Sequence, residues 1–365
     1  MNIFRPKKQT ICLGMIVRNE IHIIKESLDS VVQFIDYWVI NDNGSTDGTQ
    51  QFIHDYFQEK GIPGELITIE WINFGFNRTE VFKRAEGKSD YVFVLDADDV
   101  FILNSPLPQL KSDAYYISVG SGDFVWERLQ LFKNNLDWKY VGILHEYPMS
   151  GIARNFSKLK NCAIECRTLG SRNSLNKEAR DIEVLLQGIK EEPNNARYYF
   201  YLGQTYRDAR IFDKAIENYQ KCVSIGRWTE EIYYALYQII ECKLQIPSGE
   251  KTLQEIIDLA LHAYDIYPYR SEALCSLVRY CRITERYRLG YIFGKMGLEI
   301  PFPENNSLPL NKKVYDHELF DETGICASWL NILSEAARLY KKALNGKLVS
   351  PEDRIRIKNN LLKLG

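Results

Sequence analysis

The strongest constraint in the sequence is a short apolar run that ends in a cluster of carboxylates. Residues Tyr91 to Leu95 are apolar and prone to form a strand, which indicates a strand buried on both faces inside a parallel sheet. Asp96, Asp98 and Asp99 follow within four positions. Unpaired buried charges are costly, so these side chains must lie at the carboxyl edge of the sheet, where open α/β sheets bind ligands. We therefore predict that a divalent cation binds there and holds a diphosphate.

The first half of the chain alternates strand patterns with helix patterns. Further strands are predicted at 10–17, 37–40, 66–69 and 115–119. Apolar residues recur at helical spacing between them, Gly61 is expected to end one helix, and Asn77 is expected to cap the next. This alternation predicts an α/β domain with a mostly parallel, doubly wound sheet and right-handed crossovers.

Polar side chains follow the carboxyl ends of two more strands. Arg18 and Glu20 come after the first strand, and Asp42 comes after the second. A nucleotide base and ribose fit beside these residues, with the diphosphate at the acidic cluster. No GxGxxG motif follows the first strand, which weighs against a dinucleotide enzyme, and the absence of GxxxxGK[ST] excludes a P-loop protein. In the alternative interpretation, the acidic cluster and Asp47 only cap helices and Asp42 only shapes a turn.

The polar segments at these strand ends resemble the family 2 glycosyltransferases, which have the GT-A fold. The resembling segments, in the family's order and spacing, are Met15–Glu20, Asp42–Thr49, Asn77–Arg78 and Leu95–Asp99. The resemblance implies that Asp42 lies near the nucleobase of a nucleotide-sugar, with UDP favoured. It also implies that Asp96 of the DxD motif faces the ribose or diphosphate and that Asp98 ligates Mn²⁺ or Mg²⁺.

A second segment, Trp138–Glu146, resembles the W-x-Y-x-G-x-x-H-E signature of one branch of that family. By this resemblance His145 is expected to complete the metal site or to contact the diphosphate. Glu146 or Asp99 is the candidate general base that takes the acceptor proton in an inverting transfer. The guanidinium groups of Arg78 and Arg128 are expected to offset charge on the leaving diphosphate. In the alternative interpretation, Arg78 only pairs with an acidic neighbour.

Strand patterns vanish in the second half, and helical periodicity takes over. A 34-residue frame that starts at Ala196 matches the tetratricopeptide (TPR) pattern at Tyr199, Leu202, Gly203, Tyr206, Ala215, Tyr219 and Cys222. Later copies are weaker, so we expect a short solenoid of roughly three to four helix pairs. The predicted domains are a GT-A domain at 1–172 and a TPR-like helical repeat domain at 173–365.

Composition excludes several classes of protein. Lys and Arg total 46 against 48 Asp and Glu, a formal charge of -2 that does not indicate nucleic-acid binding. No apolar run is long enough to predict a transmembrane segment, and residues 1–8 lack the apolar region of a signal peptide. The eight Cys are interpreted as reduced thiols, which is typical of a cytoplasmic protein.

The sequence therefore predicts a metal-dependent, inverting glycosyltransferase of the hexosyltransferase class, with a TPR tail. The tail is expected to bind a protein or peptide acceptor or another partner, or to form a homodimer. The alternative is a TPR adaptor or scaffold whose GT-A domain is catalytically inactive. A nucleotidyltransferase is disfavoured, because Arg18-Asn19-Glu20 is not the Gly-rich basic loop of those enzymes.

Overall fold

The chain folds into two compact units. The computed structural model describes residues 9–121, 124–167, 169–170, 177–246, 252–303 and 306–364. The first unit comprises Met1–Ser121 with Trp126–Lys177, and the second comprises Gly122–Val125 with Glu178–Gly365. The predicted domain boundary at 172/173 and the predicted lack of a signal peptide at residues 1–8 both lie outside the described residues.

The N-terminal part of the chain alternates strands and helices. The strands are β1 (Ile11–Val17), β2 (Tyr37–Asp42), β3 (Gly64–Thr68), β4 (Tyr91–Val94), β5 (Asp99–Leu103), β6 (Ala114–Ser121), β7 (Phe124–Lys133), β8 (Lys139–Val141), β9 (Tyr147–Met149) and β10 (Phe156–Cys166). The helices between them are α1 (Ile24–Val31), α2 (Thr49–Lys60) and α3 (Phe74–Ala85). Each strand predicted from the sequence is present, within a few residues of its expected bounds.

The main sheet has the strand order β3-β2-β1-β4-β7-β6-β10-β5. Strand β1 lies parallel between β2 and β4, and β2 pairs parallel with β3. Beyond β4 the pairing changes, because β4 pairs antiparallel with β7, while β10 pairs parallel with β6 and antiparallel with β5. The predicted α/β fold is confirmed, with a mixed sheet whose first four strands are parallel.

Helices cover both faces of the parallel part of the sheet. On one face, α1 and α2 pack their apolar side chains against Leu13 and Met15 of β1. On the other face, α3 packs Val81 and Phe82 against Cys12 of β1 and its neighbours. Alternate residues of one strand therefore belong to two different cores, as expected for a strand buried on both faces. This arrangement confirms the doubly wound sheet.

The helix cap predicted at Asn77 is wrong. Helix α3 begins four residues earlier, and the side chain of Asn73 accepts a hydrogen bond from the Phe76 backbone N–H at 2.8 Å. Asn77 is fully buried inside the helix, where it accepts from the Ile72 N–H at 3.1 Å and donates to the Glu70 carbonyl at 3.2 Å. Both Asn residues are good caps, and the apolar spacing used for the prediction marked only the end of the helix.

The second unit is almost entirely helical. Its helices are α4 (Lys177–Glu191), α5 (Ala196–Asp208), α6 (Phe212–Ile225), α7 (Thr229–Gln245), α8 (Leu253–Ile266), α9 (Glu272–Ile283), α10 (Tyr287–Leu298), α11 (Leu319–Trp329), α12 (Leu333–Leu344) and α13 (Pro351–Leu362). A two-residue strand, β11 (Leu310–Asn311), and a π-helical turn, Val314–Glu318, precede α11. Helices α5 to α12 form four consecutive pairs, which agrees with the predicted number of repeats.

The first pair explains the small residues of the repeat pattern. A Cβ atom at Gly203 of α5 would lie 2.9 Å from the Tyr219 ring of α6, so glycine is needed where the two helices touch. Ala215 and Cys222 are fully buried on the same helix as Tyr219. The helical region is therefore TPR-like, as predicted. None of the helices within the described ranges combines the length and apolarity needed to cross a bilayer.

A buried ion network fastens the segment before α11 to helices α7 and α9. The Arg270 side chain is fully buried, and its NH2 group donates to Glu272 and to the Pro309 carbonyl, both at 2.6 Å. Glu230 accepts from the backbone N–H groups of Ser307 and Leu308 at 2.9 and 2.8 Å. Three distant stretches of sequence therefore meet around one guanidinium group.

Candidate active site

The carboxyl ends of β1, β2 and β4 lie at the same edge of the sheet. Val17 at the end of β1 pairs with Asp42 at the end of β2, and Gly14 pairs with Val94 at the end of β4. The Leu95 N–H continues this ladder to the Gly14 carbonyl at 3.2 Å. The residues after these strands are thus gathered at one edge, as the sequence predicts.

The two carboxylate oxygens of Asp42 differ in their hydrogen bonding. Its Oδ1 accepts from the backbone N–H groups of Gly44 and Ser45 at 3.0 and 2.8 Å, and from Gln50 Nε2 at 2.7 Å. Its Oδ2 is buried and has no hydrogen-bond partner. A buried acceptor without a partner is costly, so this oxygen lacks a hydrogen bond that a further N–H group would supply.

Five predicted site residues form a continuous row of alternating charge, which we call the charge ladder: Glu146, Arg78, Asp96, Arg128 and Asp99. Arg78 Nε lies 2.5 Å from Glu146 Oε1, and Arg78 NH2 donates to Asp96 Oδ1. Arg128 NH1 lies 3.5 Å from Asp96 Oδ2, and Arg128 NH2 donates to Asp99 Oδ2 at 2.8 Å. Both oxygens of Asp96 therefore face guanidinium groups.

The carboxylates of the charge ladder differ in their protonation chemistry. Burial acts to raise the pKa of Asp96, but Arg78 and Arg128 outweigh it and the pKa lies below its ordinary value. Burial raises the pKa of Asp99 to about 6 despite Arg128, and Asp96 and Asp98 add to the rise. Asp99 is only 1% exposed and accepts a hydrogen bond from the Cys166 thiol. Asp99 is thus held inside the wall of the site.

Asp98 makes a different contact from those of the charge ladder. Its Oδ2 accepts from the Gly170 N–H at 2.9 Å. A Cβ atom at Gly170 would lie 3.2 Å from Asp98 Oδ2 and 3.4 Å from Glu20 Oε1, so glycine leaves room between these two carboxylates. Glu20 is buried, and its backbone N–H donates to Thr49 Oγ1 at 2.9 Å. The structure therefore brings Glu20 and Asp98 together through a residue of the distant 169–170 segment.

The protein alone offers an incomplete set of metal ligands. No group of three His, Cys, Asp or Glu side chains in the described ranges is arranged to hold a metal ion. Asp96 is occupied by two arginines, whereas Asp98 shares one oxygen with an amide. Mg²⁺ is usually bound by one or two carboxylates together with substrate phosphates and water. The residues thus fit a cation that shares its ligands with a diphosphate, with Asp98 on the protein side.

Two predicted residues are exposed at this edge, and three contacting residues were not predicted. Arg18 is exposed directly after β1, and His145 is exposed in the loop between β8 and β9. The residues that sequence reasoning missed are Gln50, Cys166 and Gly170. Gln50 was detectable, because it lies in the first turn of the helix that follows Asp42. The other two approach from more than 60 residues away in the chain, and no local pattern marks them.

Comparison with known proteins finds a family match over the N-terminal part of the chain. Residues 12–170 match the model of the family described as Glycosyl transferase family 2. The N-terminal part of the chain is a family 2 glycosyltransferase domain. It contains every candidate site residue named above. The resemblance predicted from the strand-end segments is confirmed.

Two curated relatives are the glycosyltransferase SunS of Bacillus phage SPbeta and the prophage-derived SunS of Bacillus subtilis strain 168. Each is 26% identical over 238 residues, which cover 58% of this chain and 54% of the relative. The chain thus spans about half the length of these curated relatives. A TPR repeat-containing protein of Synechococcus elongatus is 30% identical over 147 residues, covering 37% of this chain and 34% of its own.

Solved structures with detectable similarity include TarS residues 1–349 of S. aureus in complex with UDP-GlcNAc and the MamA protein. TarS has a TM-score of 0.37 and 14% identity, covering 77% of this chain and 92% of its own. MamA has a TM-score of 0.38 and 20% identity, covering 47% of this chain and 84% of its own. At these scores neither structure constrains the ligands of this chain.

Proposed function

We propose that the protein is a metal-dependent, inverting glycosyltransferase that uses a UDP-sugar. The observation that carries this proposal is the buried, unpartnered Oδ2 of Asp42 at the edge of a family 2 glycosyltransferase domain. A carboxylate oxygen accepts hydrogen bonds and cannot donate them at neutral pH. Asp42 is fully buried, so a ligand N–H group would supply the missing bond once the surrounding loop moves to admit it.

The geometry of Asp42 favours uracil or thymine, which carry the same N3–H group, over guanine and cytosine. Only one oxygen is available, because Oδ1 already accepts from Gly44, Ser45 and Gln50. Uracil presents one N–H at N3. Guanine presents two adjacent N–H groups, which suit a carboxylate with both oxygens free. Cytosine presents an acceptor at N3 and would face Oδ2 without a proton between them.

The diphosphate is proposed to bind near Asp98, on a Mn²⁺ or Mg²⁺ ion that Asp98 helps to hold. When bound, such an ion neutralises charge that develops on the leaving diphosphate. Glu20 lies beside Asp98 on the other side of Gly170, and Arg18 is exposed directly after β1. We propose that Arg18 contributes positive charge to the bound donor, and that His145 contacts the diphosphate or the ion.

The chemical step is a displacement at the anomeric carbon of the sugar. The acceptor hydroxyl or thiol forms a new bond to this carbon, and the bond to the diphosphate oxygen breaks with its electron pair. The acceptor proton passes to a carboxylate and then to water. Glu146 and Asp99 are the two residues that the sequence predicts for this base. Asp99 is buried, so a direct transfer from an acceptor would require movement of the wall around it.

We propose that the second unit binds a protein or peptide acceptor. Its helix pairs are TPR-like, and stacked repeats of this kind present extended surfaces to other chains. The proposal extends to a partner protein or a second copy of the chain on the same helices. If the protein is instead an adaptor with an inactive GT-A domain, it should bind a partner but should not turn over a nucleotide-sugar.

The test is a donor-hydrolysis screen of the full chain with UDP-, GDP- and dTDP-sugars in the presence of Mn²⁺. We expect hydrolysis of a UDP-sugar, loss of activity with a chelator, and recovery on adding Mn²⁺. Asp98→Ala is expected to lower the rate by about 100-fold or more. Asp55→Ala, at an exposed position of α2, is the matched control and should retain full activity. Hydrolysis that survives both the chelator and Asp98→Ala would overturn the metal site.

A further inference from the structure

Arg78 joins two segments of the site that are distant in sequence. Its guanidinium group contacts Glu146 in the loop between β8 and β9 and Asp96 directly after β4. The side chain of Arg78 is 12% exposed, and that of Glu146 is 9% exposed. A guanidinium group is a rigid fork, so two acceptors bound to different nitrogens are fixed relative to each other.

The loop that ends at Glu146 has a backbone that needs support. Gly142 has a φ angle of 108°, and His145 has a φ angle of 54° although it is not glycine. A non-glycine residue in the left-handed region is strained unless the surroundings compensate. Arg78 holds the residue that directly follows His145 and therefore fixes the end of the loop.

Helix α3 supports the start of the same loop. The Tyr140 N–H donates to Thr79 Oγ1 at 2.9 Å, and the Tyr140 ring lies 5.6 Å from the Arg78 guanidinium carbon. Gly75 in the first turn of α3 has no Cβ atom, which lets the Gly142 carbonyl approach the helix. The helix therefore holds the loop at both ends, through backbone contacts at one end and through Arg78 at the other.

We propose that Arg78 is a positioning residue that holds the loop Gly142–Glu146 against the turn after β4, so that His145 is presented to the donor. In this role Glu146 anchors the loop and is not the general base, and Arg78 does not bind the diphosphate. The proposal rests on the proposed function and concerns how that site is built. It follows from the two carboxylates that occupy Arg78 and from the small exposed fraction of Glu146.

The first test measures amide hydrogen exchange in the full chain without any ligand. Arg78→Met is expected to raise the exchange rate of a peptide covering 142–147 by about tenfold or more, with β1 and β2 unchanged. Lys83→Met is the matched control on the same helix, because Lys83 forms an exposed ion pair with Glu80 at 2.6 Å. Unchanged exchange at 142–147 in Arg78→Met would overturn the proposal.

If Arg78→Met does not fold, Glu146→Ala decides, because it removes the side-chain oxygen that accepts from Arg78 Nε. The proposal then expects faster exchange at 142–147 in this variant, and unchanged exchange refutes it. This measurement needs no nucleotide. A wild-type protein that neither binds nor hydrolyses a UDP-sugar would therefore refute the proposed function, while the exchange result would still decide the role of Arg78.

The second test separates an anchor from a base by kinetics. For a positioning role, Glu146→Gln should lower kcat by about tenfold and keep the acidic limb of the pH profile. The double variant with Arg78→Met should be no slower than Arg78→Met alone, since both changes release the same loop. For a general base, Glu146→Gln should lower kcat by roughly 100- to 10,000-fold and abolish the acidic limb. That outcome would overturn the anchoring role.

Discussion

Replacing Asp42 with asparagine changes the hydrogen-bonding character of one atom at the base site. In Asp42→Asn the retained oxygen can still accept from the Gly44 and Ser45 N–H groups and from Gln50. The amide nitrogen takes the position of Oδ2, which is buried and unpartnered in the wild-type protein. The ligand therefore meets a donor where it previously met a charged acceptor.

The size of the effect follows from the bond that is exchanged. A hydrogen bond to a charged group contributes roughly 1.5–3 kcal/mol, and the N3–H of uracil would lose this bond. At about 1.4 kcal/mol per tenfold change, UDP should bind about 10- to 150-fold more weakly. Cytosine has an acceptor at N3, so the new N–H group should raise the affinity for CDP. The free energy of unfolding should change little, because the loop keeps its three hydrogen bonds.

Isothermal titration of UDP and CDP into both proteins, with Mn²⁺ present, measures the ratio of the two dissociation constants. We expect the preference for UDP to fall by at least tenfold in Asp42→Asn. Gln51→Ala is the control, since Gln51 lies on the same helix turn and contacts exposed Asp55 instead. A loss that is equal for UDP and CDP, or no loss at all, would refute the assignment of Asp42 to the base.

Two further predictions concern the second unit. Arg270→Met leaves Glu230 and Glu272 buried without their cation. Urea denaturation should therefore show a free energy of unfolding that is lower by about 3–5 kcal/mol, and a loss below about 1 kcal/mol would contradict the role of the network. Burial raises the pKa of Glu318 above its unfolded value despite Arg279, so its stabilising contribution is complete at low pH and is lost as pH rises. Glu318→Gln should therefore raise the melting temperature above that of the wild type, and by more at about pH 8 than at about pH 4.5. The same rise in melting temperature at the two pH values would contradict the raised pKa of Glu318.

The parts of the site that sequence could predict are those that follow a strand directly. Arg18 follows β1, Asp42 ends β2 and Asp96 lies two residues beyond β4, and parallel strands bring their carboxyl ends together without further information. The alternation of patterns also predicted the two-sided core. The start of α3 could not be predicted, because Asn73 and Asn77 are equally suitable caps and only the packing of the preceding loop distinguishes them.

The contacts that sequence could not predict join segments far apart in the chain. The Asp98 carboxylate accepts from Gly170, and Arg78 contacts Glu146, at separations of 72 and 68 residues. These contacts depend on two strand pairings, the antiparallel pairing of β7 with β4 and the parallel pairing of β10 with β6. No local sequence pattern marks either pairing. The same holds for Arg270, whose partners come from three stretches of the second unit.

The composition of the charge ladder bears on how a nucleotide enters the site. The charge ladder contains three carboxylates and two guanidinium groups, and nearby Asp98, Glu20 and Arg18 bring the total to five carboxylates and three guanidinium groups, so this edge carries a surplus of negative charge. A diphosphate that approaches by itself is repelled, whereas its complex with a divalent ion has much of that charge cancelled. We therefore expect the nucleotide and the divalent ion to bind as a preformed complex. The association rate of the metal-free nucleotide should increase with ionic strength, because salt screens the repulsion.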